Sequence, residues 1–193
     1  MRQSVRMSSL DETRSAAPLW QLPVLVLSVI TTTIMLVWTY LGMRAVMDVG
    51  GSCADGGPYV SAQPCPDGAT LLSVAIPIML VAVFAGSAVA VLLQAPTILL
   101  PMWAGLFGSL GWNFFDYGLN SDGGEVVSWI VCGVVFWLMA APALYLMTKI
   151  DYSKDSFDGV GPARRGQGMW WATYAALAVV GVALGAWSFN SWS

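Results

Sequence analysis

The chain has no histidine and very few charges of either sign. Without imidazole there can be no His-ligated haem, no His-bearing zinc or copper site and no Ser-His or Cys-His nucleophile pair. Three cysteines fall short of a full thiolate set for an iron–sulfur cluster. Charged residues make up 10% of the sequence, against about 25% in an ordinary soluble domain. With so little ionic surface, most of the chain has to be covered by lipid. The net charge of −3 offers no basic surface to a nucleic acid. These absences predict a protein with no cofactor, no metal and no nucleic-acid partner, and they lean against an enzyme.

What is present is hydrophobic: 57% of residues, gathered into five runs. The first is 19–43, framed by Trp20 on one side and Trp38 and Tyr40 on the other. A run of this length exceeds the roughly 20 residues that cross a bilayer, and the aromatics suit its two interfaces. Thr31, Thr32 and Thr33 inside it can bond back to carbonyls of the preceding turn. The helix is expected to continue through Arg44 and Asp48, an i,i+4 pair, and to stop at Gly50 and Gly51. The remaining spans are 69–93, 96–115, 126–148 and 169–189. Only Gln94 and Ala95 separate the second from the third, which requires a tight hairpin, and Pro96 suits the first turn of the third.

The expected fold is therefore all-α: a polytopic transmembrane bundle of five spans in one domain, residues 19–193, after a tail at 1–18. Within the tail, Ser9 to Glu12 fits a capping box. The odd number of spans sets one side of the membrane against the other. Residues 1–18, the Gln94 turn and the loop 149–168 share a side with Arg2, Arg6, Arg14, Lys149, Lys154, Arg164 and Arg165. The other side has Arg44 with Asp48, Asp55, Asp67, Asp116, Asp122 and Glu125. The positive-inside rule puts the N-terminus in the cytoplasm and the C-terminus outside. A four-span alternative, with 69–115 partly re-entrant, splits the basic groups between the two sides.

The outer loop 50–68 carries Cys53 and Cys65 beside the turn residues Gly56, Gly57 and Pro58. An outer face permits disulfides, and these two cysteines can meet without strain. Closing such a loop stabilises by about 3 kcal/mol through the unfolded chain. The spacing is not the CxxC of a redox pair, so a structural staple is expected. Cys132, inside the fourth span, is expected to be a small buried apolar residue.

The spans contain no Asp, Glu, Lys or Arg. Mid-membrane charges usually mark ion or proton pathways, so their absence argues against a pump. The nearest polar groups, Asn113 and Asp116, sit among Trp112, Phe114, Phe115 and Tyr117, which reads as an aromatic belt or alternatively as a pocket. Small residues recur four apart at Ala82, Gly86 and Ala90, at Ala104 and Gly108, and at Gly181 and Gly185. Such grooves let helices approach closely, either within this bundle or against another protein. Lys149, Arg164 and Arg165 flank the inner headgroups, where lipid phosphate is the expected contact.

The loop segments Gly51-Ser52-Cys53-Ala54, Gly56-Gly57-Pro58-Tyr59 and Cys65-Pro66-Asp67-Gly68, following a first apolar helix, resemble a group of small integral membrane proteins of actinobacteria. The resemblance implies a bacterial plasma membrane and brings no activity with it. A second likeness, in size and architecture alone, is to small accessory subunits of actinobacterial respiratory supercomplexes. The function expected is that of a non-catalytic accessory or scaffold subunit, with lipids and other membrane proteins as partners. The alternative is a small transporter of an uncharged solute or lipid, with Pro77, Pro101 and Pro142 breaking helices around a midplane site. An enzyme acting on lipid would have to use Asp116 or Glu125 as its acid–base group.

Overall fold

In apolar surroundings every backbone N–H and C=O must be satisfied locally, and a helix does this residue by residue. The computed structural model describes residues 19–50, 53, 64–120, 126–149 and 167–192, with Lys149 and Gln167 described by backbone alone. Within these residues the chain is all-α, with helices α1 (Gln21–Asp48), α2 (Ala69–Leu92), α3 (Leu99–Asn120), α4 (Val127–Lys149) and α5 (Gln167–Trp192). Four of the five, all but α3, are long and apolar enough to cross a membrane. The exception carries four glycines besides Ser109, Asn113 and Asp116, which dilute its apolar character. The tail 1–18, with its capping box, lies outside the described residues.

Helix ends follow local chemistry. α1 has Pro23 in its first turn, where no intrahelical N–H is lost. It stops at Gly50, whose φ of +94° is open to glycine and whose N–H reaches the Met47 carbonyl at 3.0 Å. α2 closes in a Schellman arrangement: Ala95 N–H meets the Ala90 carbonyl at 2.8 Å and Gln94 N–H the Val91 carbonyl at 3.1 Å. Gln94 occupies the left-handed position at φ 54°, at a cost of about 1 kcal/mol relative to glycine. Pro96 does not open α3 as the sequence suggested. The turn after Gln94 runs to Ile98, and α3 begins at Leu99. Pro96 is buried in that turn, and its carbonyl accepts the Tyr174 hydroxyl at 2.8 Å.

None of the three span prolines breaks its helix. α2 and α4 run through Pro77 and Pro142, and Pro101 falls in the first turn of α3.

The helices alternate in direction. α1 stands at the centre, with α2, α3 and α5 packed around it. Among the described residues α4 packs on α3 and on no other helix. The core lies along α1, where Leu25, Val29 and Met35 meet Ala75, Met79 and Val83 of α2, Met102 of α3 and Tyr174 of α5. Apolar side chains elsewhere point outward, Leu138 of α4 and Val179 of α5 among them. In lipid such exposure costs nothing, and association rests on close packing instead.

The close approaches are made by small residues. A Cβ at Gly86 would lie 2.7 Å from Ser28 Cβ, so α2 sits directly on α1 there. Ala82 and Ala90 on the same face are buried. Gly181 fits against Thr33, and Gly185 against Val37, which brings α5 onto α1. On α3, Gly108 has nothing near a Cβ position, and the approach is made at Gly111 instead. There a Cβ would lie 3.1 Å from the Gly133 carbonyl of α4 and would overlap the Trp137 ring. Ala104 is half-buried. The α3–α4 pair is then filled by rings: Phe107–Phe136 at 6.0 Å, Phe114–Phe136 at 5.2 Å and Phe115–Trp137 at 4.9 Å. Because α4 presents its Gly133 face to α3, the neighbouring Cys132 points away. It is exposed, not buried as the sequence reading had it.

Candidate functional site

The polar side chains of α1 and α3 meet along one seam near the disulfide end of the bundle. On α1, Tyr40, Arg44 and Asp48 are spaced four apart; on α3, Asn113, Asp116, Tyr117 and Asn120 share one face at i, i+3, i+4 and i+7. The two helices run in the same direction, so these faces register along their length.

Asn113 is fully buried, and its Nδ2 donates to the Tyr40 carbonyl at 3.1 Å. One turn further, Arg44 Nη2 donates to Asp116 Oδ2 at 2.7 Å. Arg44 Nη1 reaches the Tyr40 hydroxyl at 3.4 Å, and its guanidinium lies 5.1 Å from the centre of the Tyr117 ring. The Tyr117 hydroxyl donates to the Asp48 carboxylate. Asn120 Nδ2 supplies a bond to the second Asp116 oxygen at 3.0 Å. Tyr117 is itself packed edge-on against Trp129 at the start of α4.

This arrangement corrects two expectations. Arg44 does not pair with Asp48 along its own helix; it turns to Asp116 across the seam, leaving Asp48 to Tyr117. Asn113 and Asp116 do not belong to a simple aromatic belt, because both are committed to α1. Asp116 accepts on both oxygens and faces a cation, so it is poorly placed to serve as an acid–base group. Glu125, the other carboxylate considered, lies outside the described residues.

The seam could have been found from periodicity. A polar stripe at helical spacing on two apolar helices predicts that they face each other. What could not be read was which α1 residue meets which α3 residue, since that depends on the vertical offset of the helices.

Cys53 and Cys65 form a disulfide with Cα atoms 4.7 Å apart. It crosslinks the segment between α1 and α2, and Cys65 Sγ lies 3.0 Å from the Cys53 carbonyl oxygen. Tyr59 and the rest of residues 54–63 lie outside the described residues, as do Arg164 and Arg165. Lys149 ends α4.

On the other half of the bundle a cavity of about 190 Å³ opens between α1, α3 and α5, lined by Thr32, Thr33, Leu36, Met102, Trp171 and Tyr174 among others. Two of its polar groups are engaged: Thr33 Oγ1 donates to the Val29 carbonyl at 2.9 Å and Tyr174 to Pro96. Thr32 departs from the back-bonding expected of it, and its buried hydroxyl has no partner. A shallower apolar groove of about 430 Å³ lies between α1 and α2 beside Pro77.

Comparison of the chain with protein-family models, with curated proteins and with solved structures finds no match.

Proposed function

We propose that the chain is a non-catalytic integral membrane protein, an accessory or scaffold subunit of a larger membrane complex. The observation that carries this reading is the placement of α4. Among the described residues it holds to the bundle through α3 alone, and its other faces present Val131, Leu138 and Leu144 outward. A helix gripped on one side only is suited to meet another subunit on the other. The polar seam supports the same reading, because Arg44, Asp48, Asp116 and Tyr117 are spent on joining α1 to α3.

The topology proposed has five spans. α3 measures about 33 Å at 1.5 Å per residue and runs beside α1 in the same direction, which favours a crossing helix over a re-entrant one. The charge count favours a cytoplasmic N-terminus and an outer disulfide. The loop resemblance favours the plasma membrane of a bacterium, and the likeness in size to respiratory accessory subunits names the first complex to look for. The transporter reading loses its motive, since Pro77 and Pro142 lie within continuous helices.

The test is extraction from native membranes in mild detergent, followed by mass spectrometry of what comes with the protein. Stoichiometric membrane partners are expected. A monodisperse protein with no partner in several detergents would overturn the proposal.

A further inference from the structure

We propose that the groove between α1 and α2 beside Pro77 holds an uncharged, chain-like lipid by a carbonyl group, which accepts hydrogen bonds from Ser28 and Thr31 at mid-membrane depth. Three observations lead there.

The first is the pair of hydroxyls. Elsewhere in the bundle such groups bond back to their own helix: Thr33, Thr39, Ser109, Thr173 and Ser188 each reach a carbonyl three or four residues earlier, at 2.9, 2.8, 3.0, 2.9 and 3.1 Å. Ser28 and Thr31 line the groove and have no hydrogen-bond partner among the described residues. Thr31 thus departs from the back-bonding expected of it. Ser28 is only 6% exposed, yet its oxygen and that of Thr31 keep open surface, unlike the closed-off hydroxyl of Thr32. A hydroxyl without a partner in hydrocarbon is costly. Residues three apart on a helix have Cβ atoms about 5–6 Å apart, so one carbonyl oxygen lying between them, with its two lone pairs, can accept from both.

The second is depth. Thr31 stands about 15 Å along α1 from its start at Gln21, half the thickness of the roughly 30 Å hydrocarbon core. No water reaches that level, phospholipid headgroups lie outside it, and acyl chains have no polar atom to offer there. No Asp, Glu, Lys or Arg lines the groove, so a charged ligand would find nothing to neutralise it. A neutral lipid whose oxygen sinks to the midplane satisfies both hydroxyls.

The third is shape. The groove holds about 430 Å³, within the range of about 300–1,000 Å³ found for small-molecule clefts. From Val24 to Thr31 it follows α1 for about 10 Å, with Pro77, Ile78 and Val81 on the facing wall. A chain laid along the helix fits within it. A partner helix, about 10–12 Å across, would ride over the top and leave the floor at Ser28 unfilled. No residue of α3, α4 or α5 lines the groove, so lipid binding there is independent of a partner on α4.

The experiment uses the full chain in phosphatidylcholine nanodiscs with ¹³C-methyl isoleucine, reading the Ile78 methyl, which is assigned by Ile78→Val. 9-Heptadecanone and heptadecane are the probes, equal in chain length and differing by one carbonyl oxygen. The expected result is a saturable shift with the ketone, about tenfold tighter than with the alkane, the size of one to two neutral hydrogen bonds. Ser28→Ala together with Thr31→Val should remove that preference, so that the two probes bind alike. Val81→Trp, which fills the groove from α2, should abolish the ketone shift. If the ketone does not saturate, ordinary acyl chains or another protein cover the groove and the proposal falls. If the ketone has no preference over the alkane, or keeps it in the double variant, the two hydroxyls recognise nothing and the proposal falls again. A double variant that does not insert is replaced by Thr31→Val alone, judged by the same ratio between the probes.

Discussion

Arg44 of α1 and Asp116 of α3, far apart in sequence, form an ion pair at 2.7 Å and thereby bolt the α3–α4 pair to the rest of the bundle. Across the same contact Asn113 bonds to the Tyr40 carbonyl and Tyr117 to Asp48. The Arg44 and Asp116 side chains are 38% and 27% exposed, which lets solvent screen part of the attraction. A double-mutant cycle with Arg44→Met and Asp116→Asn should therefore give a coupling of about 1 kcal/mol, falling as salt is raised. A coupling indistinguishable from zero at low salt would mean that the pair does not hold α3 in place.

Asn113 lies one turn deeper and is shielded completely. Asn113→Ala removes its bond to the Tyr40 carbonyl and leaves a small void, an expected loss of about 1–3 kcal/mol. Asn113→Asp should be worse, since it sets a carboxylate against a carbonyl oxygen in a site closed to water. Thermal unfolding in one detergent ranks the three proteins. The aspartate variant matching the wild type would show that Asn113 is not enclosed.

Two glycines on α3 separate packing from mere smallness. Gly111→Ala must push α4 away, because its methyl would overlap Trp137 and crowd the Gly133 carbonyl at 3.1 Å. Gly108→Ala meets nothing within 4 Å. The first should destabilise by about 1–3 kcal/mol. The second should be neutral or slightly stabilising, since alanine favours the helix. Equal effects would contradict the α3–α4 interface described above.

The all-α fold and the limits of α1 and α2 were legible because apolar run length and glycine punctuation are local signals; α3 was not, since it starts after Pro96 and runs on to Asn120, past the expected end at 115, its polar last turn being held by the seam. Gly50 stops α1 where its sequence context says it should, and Ala69 opens α2 right after Gly68. Pairing between helices was not legible. Gly108 and Gly111 look alike in sequence, and only the rotation of α3 decides which of them faces α4. Cys132 departs from expectation for the same reason: burial inside a span depends on which face a neighbour covers, and among the described residues α4 has one neighbouring helix. Thr32 gave no sequence signal, because its neighbour Thr33 in the same helix does form the local bond.

Cys53 and Cys65 are joined, so neither should react with a membrane-impermeant maleimide in intact cells until a reductant is added. Cys53→Ser should increase proteolysis between α1 and α2 while the helices stay inserted, since the crosslink acts mainly on the freedom of that segment. Full labelling of both thiols without reductant would show that the crosslink is absent in the cell.

On the proposed function, a partner subunit sits on the outward face of α4. This is tested most directly by placing a photo-crosslinking amino acid at Leu138, on the outward side of α4, and at Met79, buried between α1 and α2, then irradiating native membranes. A discrete protein adduct is expected from position 138 and none from position 79. Adducts to lipid alone from position 138, in membranes where the protein is fully inserted, would contradict it.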